Sequence, residues 1–165
     1  MKTLTVYSSM TGNTRKIAEA IDDRLNGDKT LCDIDEVPDL RDFDLIFLGF
    51  WLMAGKPDPR SLGFLKRITG QRLFLFATHG AAVDSDHVRS AMALAQSAAG
   101  SARIIGTFSC QGEVSPRFLE KARAKDPQPV WIGDADSAVG HPNDTDIQRL
   151  NAVLDANLPE AVSCH

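Results

Sequence analysis

Ser8-Ser9-Met10-Thr11-Gly12-Asn13-Thr14 is the stretch on which the fold turns. Before it, Lys2 to Ser8 reads as a short strand carrying Leu4, Val6 and Tyr7. After it, Asn13 to Leu25 reads as a helix with Ile17, Ala18, Ile21 and Leu25 on one face. A turn between a strand end and a helix start offers free backbone N–H groups and the positive end of the helix dipole. Ser9, Thr11 and Thr14 add hydroxyls, and Gly12 lets the backbone curl closely around an anion. With Met10 and Asn13 completing it, the segment predicts a phosphate cup that lacks a lysine. The competing reading is an ordinary hydroxyl-rich turn with a helix cap.

What is missing narrows the ligand. A nucleotide-hydrolysing loop requires Gly-Lys-Ser/Thr at the helix start, and Gly12-Asn13-Thr14 has no lysine. A dinucleotide fingerprint requires three spaced glycines, and only Gly12 is present. The cup therefore suits a terminal monophosphate better than a triphosphate or a pyrophosphate.

Outward from this segment the chain alternates strand and helix. Asn26-Gly27-Asp28 ends the first helix, and Thr30 to Val37 reads as a polar edge strand. Asp44 to Phe50 and Arg72 to Thr78 are continuous apolar runs, expected where both faces of a strand are covered. Between them Arg60 to Ile68 is a short helix. Asp84 or Ser85 caps a helix that runs to about Ala99 and stops at Gly100. Arg103 to Ser109 is a fifth strand. Ser115-Pro116 opens a helix to about Lys125, and the proline- and glycine-rich stretch from Asp126 to Pro142 reads as a loop. Its Asp134, Asp136 and His141 have no metal-ligand spacing, and Trp131 reads as a loop anchor. A last helix runs from Asn143 or Asp144 to about Asn157. The expected fold is an α/β three-layer sandwich around a five-stranded parallel sheet of order 2-1-3-4-5, in one domain over residues 1–165.

Composition excludes several classes. Hydrophobic residues make up 43% of the 165, enough for one sizeable core, and no apolar run reaches the ~20 residues that span a bilayer. The formal charge of −4 is the wrong sign for nucleic acid. Met1-Lys2-Thr3 leads into no apolar signal region, which points to the cytoplasm. Cys32, Cys110 and Cys164 are odd in number and widely spaced, as free thiols in a reducing compartment are; Cys164-His165 reads as a frayed tail. No Ser-His-Asp or His-Glu-x-x-His arrangement supports a hydrolase.

Ser9-x-Thr11-Gly12-x-Thr14 after a first strand, with Ala18 and Ile21 downstream, resembles the FMN-phosphate motif of the flavodoxin family. Thr5 departs from that family's aliphatic residue. The resemblance covers roughly the first 120 residues and the last helix, and it extends to short flavodoxin-like proteins of anaerobic bacteria. In that family FMN lies at the switch point of the sheet. The resemblance implies that two further loops meet the flavin ring. One is Phe50-Trp51-Leu52-Met53-Ala54-Gly55, where Trp51 is placed to stack or, alternatively, to pack in the core at a strand end. A carbonyl of Leu52, Met53 or Ala54 would there accept a hydrogen bond from the reduced ring, with Gly55 easing the turn. The other loop contains Thr78, His79, Gly80, Ala81, Val83 and Asp84, whose N–H groups would meet the ring's carbonyl edge. Its only ring is His79, read either as a flavin contact or as an exposed loop histidine. Cys110, near the end of the fifth strand, reads as a small buried residue.

The implied function is an FMN-binding electron carrier, a monomer without covalent catalysis of its own. Redox partner proteins would dock transiently at the flavin edge, near residues 51–58 and 79–84. Two alternatives stand beside it. One is an NAD(P)H-dependent FMN or quinone reductase on the same fold. The other is a flavin-free interaction or regulatory module.

Overall fold

The computed structural model describes residues 1–162; the Cys164-His165 tail lies outside the described residues. Six strands form one sheet: β1 Lys2–Tyr7, β2 Asp28–Asp33, β3 Leu45–Met53, β4 Lys56–Pro57, β5 Arg72–His79 and β6 Arg103–Gln111. The parallel strands lie in the order β2-β1-β3-β5-β6, while β4 pairs antiparallel with the end of β3. This is the expected order with one short hairpin strand added.

Five α-helices accompany the sheet: α1 Asn13–Arg24, α2 Pro59–Leu65, α3 Asp86–Ala98, α4 Pro116–Arg123 and α5 Asp144–Asn157. Strand alternation divides the core in two. Leu4, Val6, Ile46, Leu48, Leu73 and Leu75 face α2 and α3, meeting Phe64, Leu65, Val88 and Met92. Phe47, Phe74, Phe76 and Phe108 face α1 and α5, meeting Ile17, Ile21, Leu150 and Leu154. Three layers follow, with β3 and β5 buried on both faces as their apolar runs predict.

Beyond shifts of a few residues at element ends, such as α2 stopping at Leu65 rather than Ile68 and β6 reaching Gln111 rather than Ser109, the structure departs from the sequence reading at three places. β2 ends at Asp33 rather than Val37, because the Asp33 carboxylate accepts the Asp35 N–H at 3.0 Å and turns the chain into a 3₁₀ turn. β3 continues to Met53, past the expected loop start, and folds back through Ala54-Gly55 into β4. Residues 126–142, read as a loop, hold a 3₁₀ turn over Val130–Asp134, which packs with α4. None of the helices is long and apolar enough to cross a membrane, among the described residues.

Candidate functional site

The C-terminal ends of β1, β3, β5 and β6 converge on one edge of the sandwich. At the β1 end the loop begins with Ser8, whose hydroxyl donates to buried Asp58 at 2.9 Å. Asp58 also accepts Ser61 N–H and hydroxyl at 3.2 and 2.8 Å, capping α2, and Arg60 reaches the Ser8 oxygen at 3.1 Å. The root of the loop is thus tied to α2. Beyond it Met10, Thr11 and Gly12 are exposed.

Gly12 stands at the start of α1 with φ +94°, a conformation that L side chains rarely adopt. Its N–H donates to the Ser9 hydroxyl at 3.1 Å, which leaves that hydroxyl's own proton to point elsewhere. α2, α3, α4 and α5 are each capped by a side chain, from Asp58, Ser85, Ser115 and Asn143. α1 has no side-chain cap. The first N–H groups of a helix have no partner within it, so α1 presents uncapped donors and the positive end of its dipole at this loop.

Two members of the predicted cup have further engagements. Thr14 is buried and shares a 2.8 Å hydrogen bond with Thr78, joining α1 to β5. Bare Gly49 makes room for this, since a Cβ there would lie 2.9 Å from Thr14 Cγ2 and 2.2 Å from the Phe76 ring. The Asn13 amide donates to the Glu113 carbonyl at 2.9 Å and lies against Gly112, joining α1 to the chain leaving β6.

At the β3 end, Leu52 pairs with Pro57 and Met53 with Lys56, and Asp58 N–H closes the hairpin on the Trp51 carbonyl at 3.0 Å. The two turn residues both have positive φ, 50° at Ala54 and 75° at Gly55, as a two-residue hairpin of matching twist demands. Ala54 is the one described non-glycine residue held there. The hairpin tip reaches α3: a Cβ on Gly55 would lie 3.1 Å from the His87 ring. The Phe50 side chain is wholly buried in the core, so it is not available to a ligand. Trp51 is half-buried, with its indole N–H buried and unpartnered.

At the β5 end, His79 is not an exposed loop residue. It is 6% exposed, and its Nδ1 lies 2.9 Å from the Ala81 carbonyl. With Nδ1–H donating there, Nε2 is a buried acceptor without a partner. Its pKa is lowered to about 4, chiefly by burial and with help from nearby His87, against the opposing Ala81 bond; the ring is neutral at pH 7. The Ala81 side chain is buried in the core, and Val83 and Asp84 continue the loop outward. Not all of this loop's N–H groups face outward: Ala82 N–H donates to the Asp134 carboxylate at 2.9 Å.

Residues 126–142 are therefore part of the site's wall. The Gln111 amide donates to the Ser137 hydroxyl at 2.9 Å and reaches the Asp134 carbonyl at 3.4 Å. Trp131 lies over Gly80, where a Cβ would sit 3.2 Å from the indole. A cavity of about 460 Å³ opens between the hairpin tip at Gly55, the β5–α3 loop at Ala81 and Ser85, and Val130, Trp131 and Asp134. The role of Asp134 and the placement of Trp131 are not signalled locally; the sequence marks Trp131 only as a loop anchor. Cys110 is fully buried in the core, and burial pushes its thiol far up, so it takes no part in the site. No group of three or more His, Cys, Asp or Glu able to hold a metal occurs among the described residues.

Comparison with known proteins agrees with this geometry. The profile of the family described as "Flavodoxin domain" matches residues 4–155. The chain is 35% identical over 126 residues to the flavodoxin-like domain-containing protein BilS of Clostridioides difficile, covering 73% of this chain and 72% of that one. It is 28% identical over 188 aligned positions to BilS of Clostridium symbiosum, covering 98% of both. Among solved structures, a short-chain flavodoxin associated with a non-canonical PDU bacterial microcompartment superposes with TM-score 0.64 at 19% identity, over 96% of this chain and 98% of that one. A Lactobacillus acidophilus flavoprotein solved in complex with FMN superposes with TM-score 0.54 at 18% identity, over 66% and 92%.

Proposed function

The chain belongs to the flavodoxin domain family, and on that premise we propose that it binds FMN and works as an electron carrier, a cytoplasmic monomer serving a redox partner protein. The observation that carries the reading is α1, the α-helix whose N-terminus no side chain caps, opening from a left-handed glycine at the end of a hydroxyl-lined loop. An FMN phosphate supplies the missing cap. The Ser9 and Thr11 hydroxyls and the N–H groups at the start of α1 would hold it. Lys16, in the first turn and a half, is drawn away to the Pro142 carbonyl, so the cup works by backbone donors rather than by a paired cation.

The residues at the other end fit a heterocycle. Trp51 Nε1–H is a buried donor and His79 Nε2 a buried acceptor, both without protein partners at the ends of paired strands β3 and β5. A flavin ring edge offers both carbonyl acceptors and an N–H donor. Bound FMN would supply one- and two-electron exchange. The protein's own part is to hold the phosphate, orient the ring between the hairpin and the β5–α3 loop, and exclude water from it. Met53, 43% exposed at the hairpin, and Met10, 66% exposed on the phosphate loop, give a partner an adaptable apolar rim for transient docking.

A dinucleotide-dependent reductase fits less well. The charged side chains lining the cavity are Asp86 and Asp134, with no lysine or arginine, which repels the phosphates of NAD(P)H. The test is a visible spectrum of the purified protein and a titration of its apo form with FMN and riboflavin. We expect flavin bands, FMN binding at least 100-fold tighter than riboflavin, and no NADPH consumption. A colourless protein that ignores FMN would sink the reading.

A further inference from the structure

The β5–α3 loop has no aromatic side chain to cover a bound ring. His79, its only ring, is buried and held on the Ala81 carbonyl at 2.9 Å. The structure brings an aromatic there from 50 residues away in the chain. Trp131 meets Gly80 at Cε3 and Cζ3 of its indole, 3.2 and 3.6 Å from where a Cβ on Gly80 would sit. From this we infer that Trp131, carried by the 3₁₀ turn between β6 and α5, is the second aromatic wall of the ring compartment, opposite the hairpin; the inference rests on the FMN reading above.

Three observations support this placement. Trp131 lines the 460 Å³ cavity together with Gly55 of the hairpin tip and Ala81 of the β5–α3 loop, so it closes a space already bordered by both ring-flanking loops. That volume is in the range of pockets that hold a drug-sized ligand. One face of the indole is held in place. Phe118 of α4 stacks on it, with centroids 6.1 Å apart and planes at 19°. Finally, the turn that carries Trp131 is anchored to the loop it covers through Ala82 N–H on Asp134 at 2.9 Å, and to the end of β6 through the Gln111 amide on the Asp134 carbonyl at 3.4 Å. A surface loop with a casually packed tryptophan would not need hydrogen bonds to the loop that faces the ligand. A planar, electron-rich ring held rigidly at such a cavity is suited to stack on a planar heterocycle.

The chain has two tryptophans, Trp51 and Trp131, which makes the inference separable. An indole quenches flavin emission when the two rings are in contact. The experiment loads full-length wild type, Trp51→Phe, Trp131→Phe and the double variant with FMN, and records flavin emission per bound flavin with circular dichroism as the check on folding. Phenylalanine keeps a ring on Phe118, so the turn retains its packing. We expect Trp51→Phe to remain strongly quenched and the double variant to rise at least fivefold above it. We also expect riboflavin, which has no phosphate, to bind about tenfold more weakly to Trp131→Phe than to wild type. Equal emission from Trp51→Phe and the double variant, in proteins that are yellow, overturns the inference and leaves FMN binding intact. Absence of bound flavin in all four overturns both.

Discussion

The phosphate end and the ring end of the site are built by opposite means. The phosphate end is one contiguous stretch, Ser8 to Thr14, whose properties come from a strand end, a glycine and a helix start in succession. The ring end is assembled from the β3–β4 hairpin, the β5–α3 loop, Gln111 at the end of β6 and the Val130–Asp134 turn. The first end would hold its anion with backbone groups, which any sequence has, left open by the local conformation. The second depends on side chains that meet only when the whole sheet is in register. A local site is damaged by a change of charge or φ within it, and an assembled site by loss of a distant tie.

The sharpest way to break this comparison is at Gly12. Gly12→Asp places a carboxylate where the phosphate is to lie, next to a group carrying −1.5 to −2 charges at neutral pH. At this exposed loop, with an effective dielectric constant of about 40, repulsion of about 4 kcal/mol at a separation near 4 Å predicts FMN binding roughly 1000-fold weaker. Riboflavin, with no phosphate, should bind within a few-fold of wild type. Equal losses for both ligands in parallel titrations would show that the two ends are not separable.

Acid should act on the protein through His79. The unfolded chain protonates His79 near pH 6.5 and the folded one only near pH 4, so between these values the unfolded state binds more protons. The stability associated with neutral, buried His79 is complete above pH 6.5. It is lost as pH falls from 6.5 to 4, by about 3 kcal/mol. His87, Arg149 and Asp146 are the charged and titratable groups that bear on it. Urea unfolding at pH 4.5 and 7.5 checks this against His79→Gln, which should lack the corresponding part of the acid loss. An identical pH dependence in both proteins would remove His79 from the account.

The mildest perturbation is Asp134→Ala, which releases Ala82 N–H and loosens the Val130–Asp134 turn from the β5–α3 loop. We expect about a tenfold loss for FMN and for riboflavin alike, matching the ~1.5 kcal/mol of a charge-assisted hydrogen bond. A loss confined to FMN would place Asp134 at the phosphate end.

Legibility in the sequence followed the same division. The strand–loop–helix unit at residues 2–25, the two buried strands and the helix caps at Ser85, Ser115 and Asn143 were all readable, because periodicity and capping are properties of neighbouring residues. The strand order was readable because crossover handedness leaves few choices. The hairpin was not. Ala54-Gly55 lacks the Asn-Gly or Asp-Gly signature of its turn type, and Ala54 is held at φ 50° by the pairing on either side of it. The burial of His79 was also hidden, since its Ala81 acceptor lies in the loop but the elements that cover the ring do not.

What the sequence determined alone is the alternating α/β plan and the strand–loop–helix turn that opens at Gly12, because each depends on contacts within a turn or two of chain. What only the tertiary structure decided is the ring end: that Trp131 covers Gly80, that Asp134 takes the N–H of Ala82, and that His79 is turned inward. Those contacts join residues about 50 apart in the chain, or depend on how β5 packs between its neighbours. No local propensity encodes such distances; they arise when sheet register and layer packing bring the strand ends together.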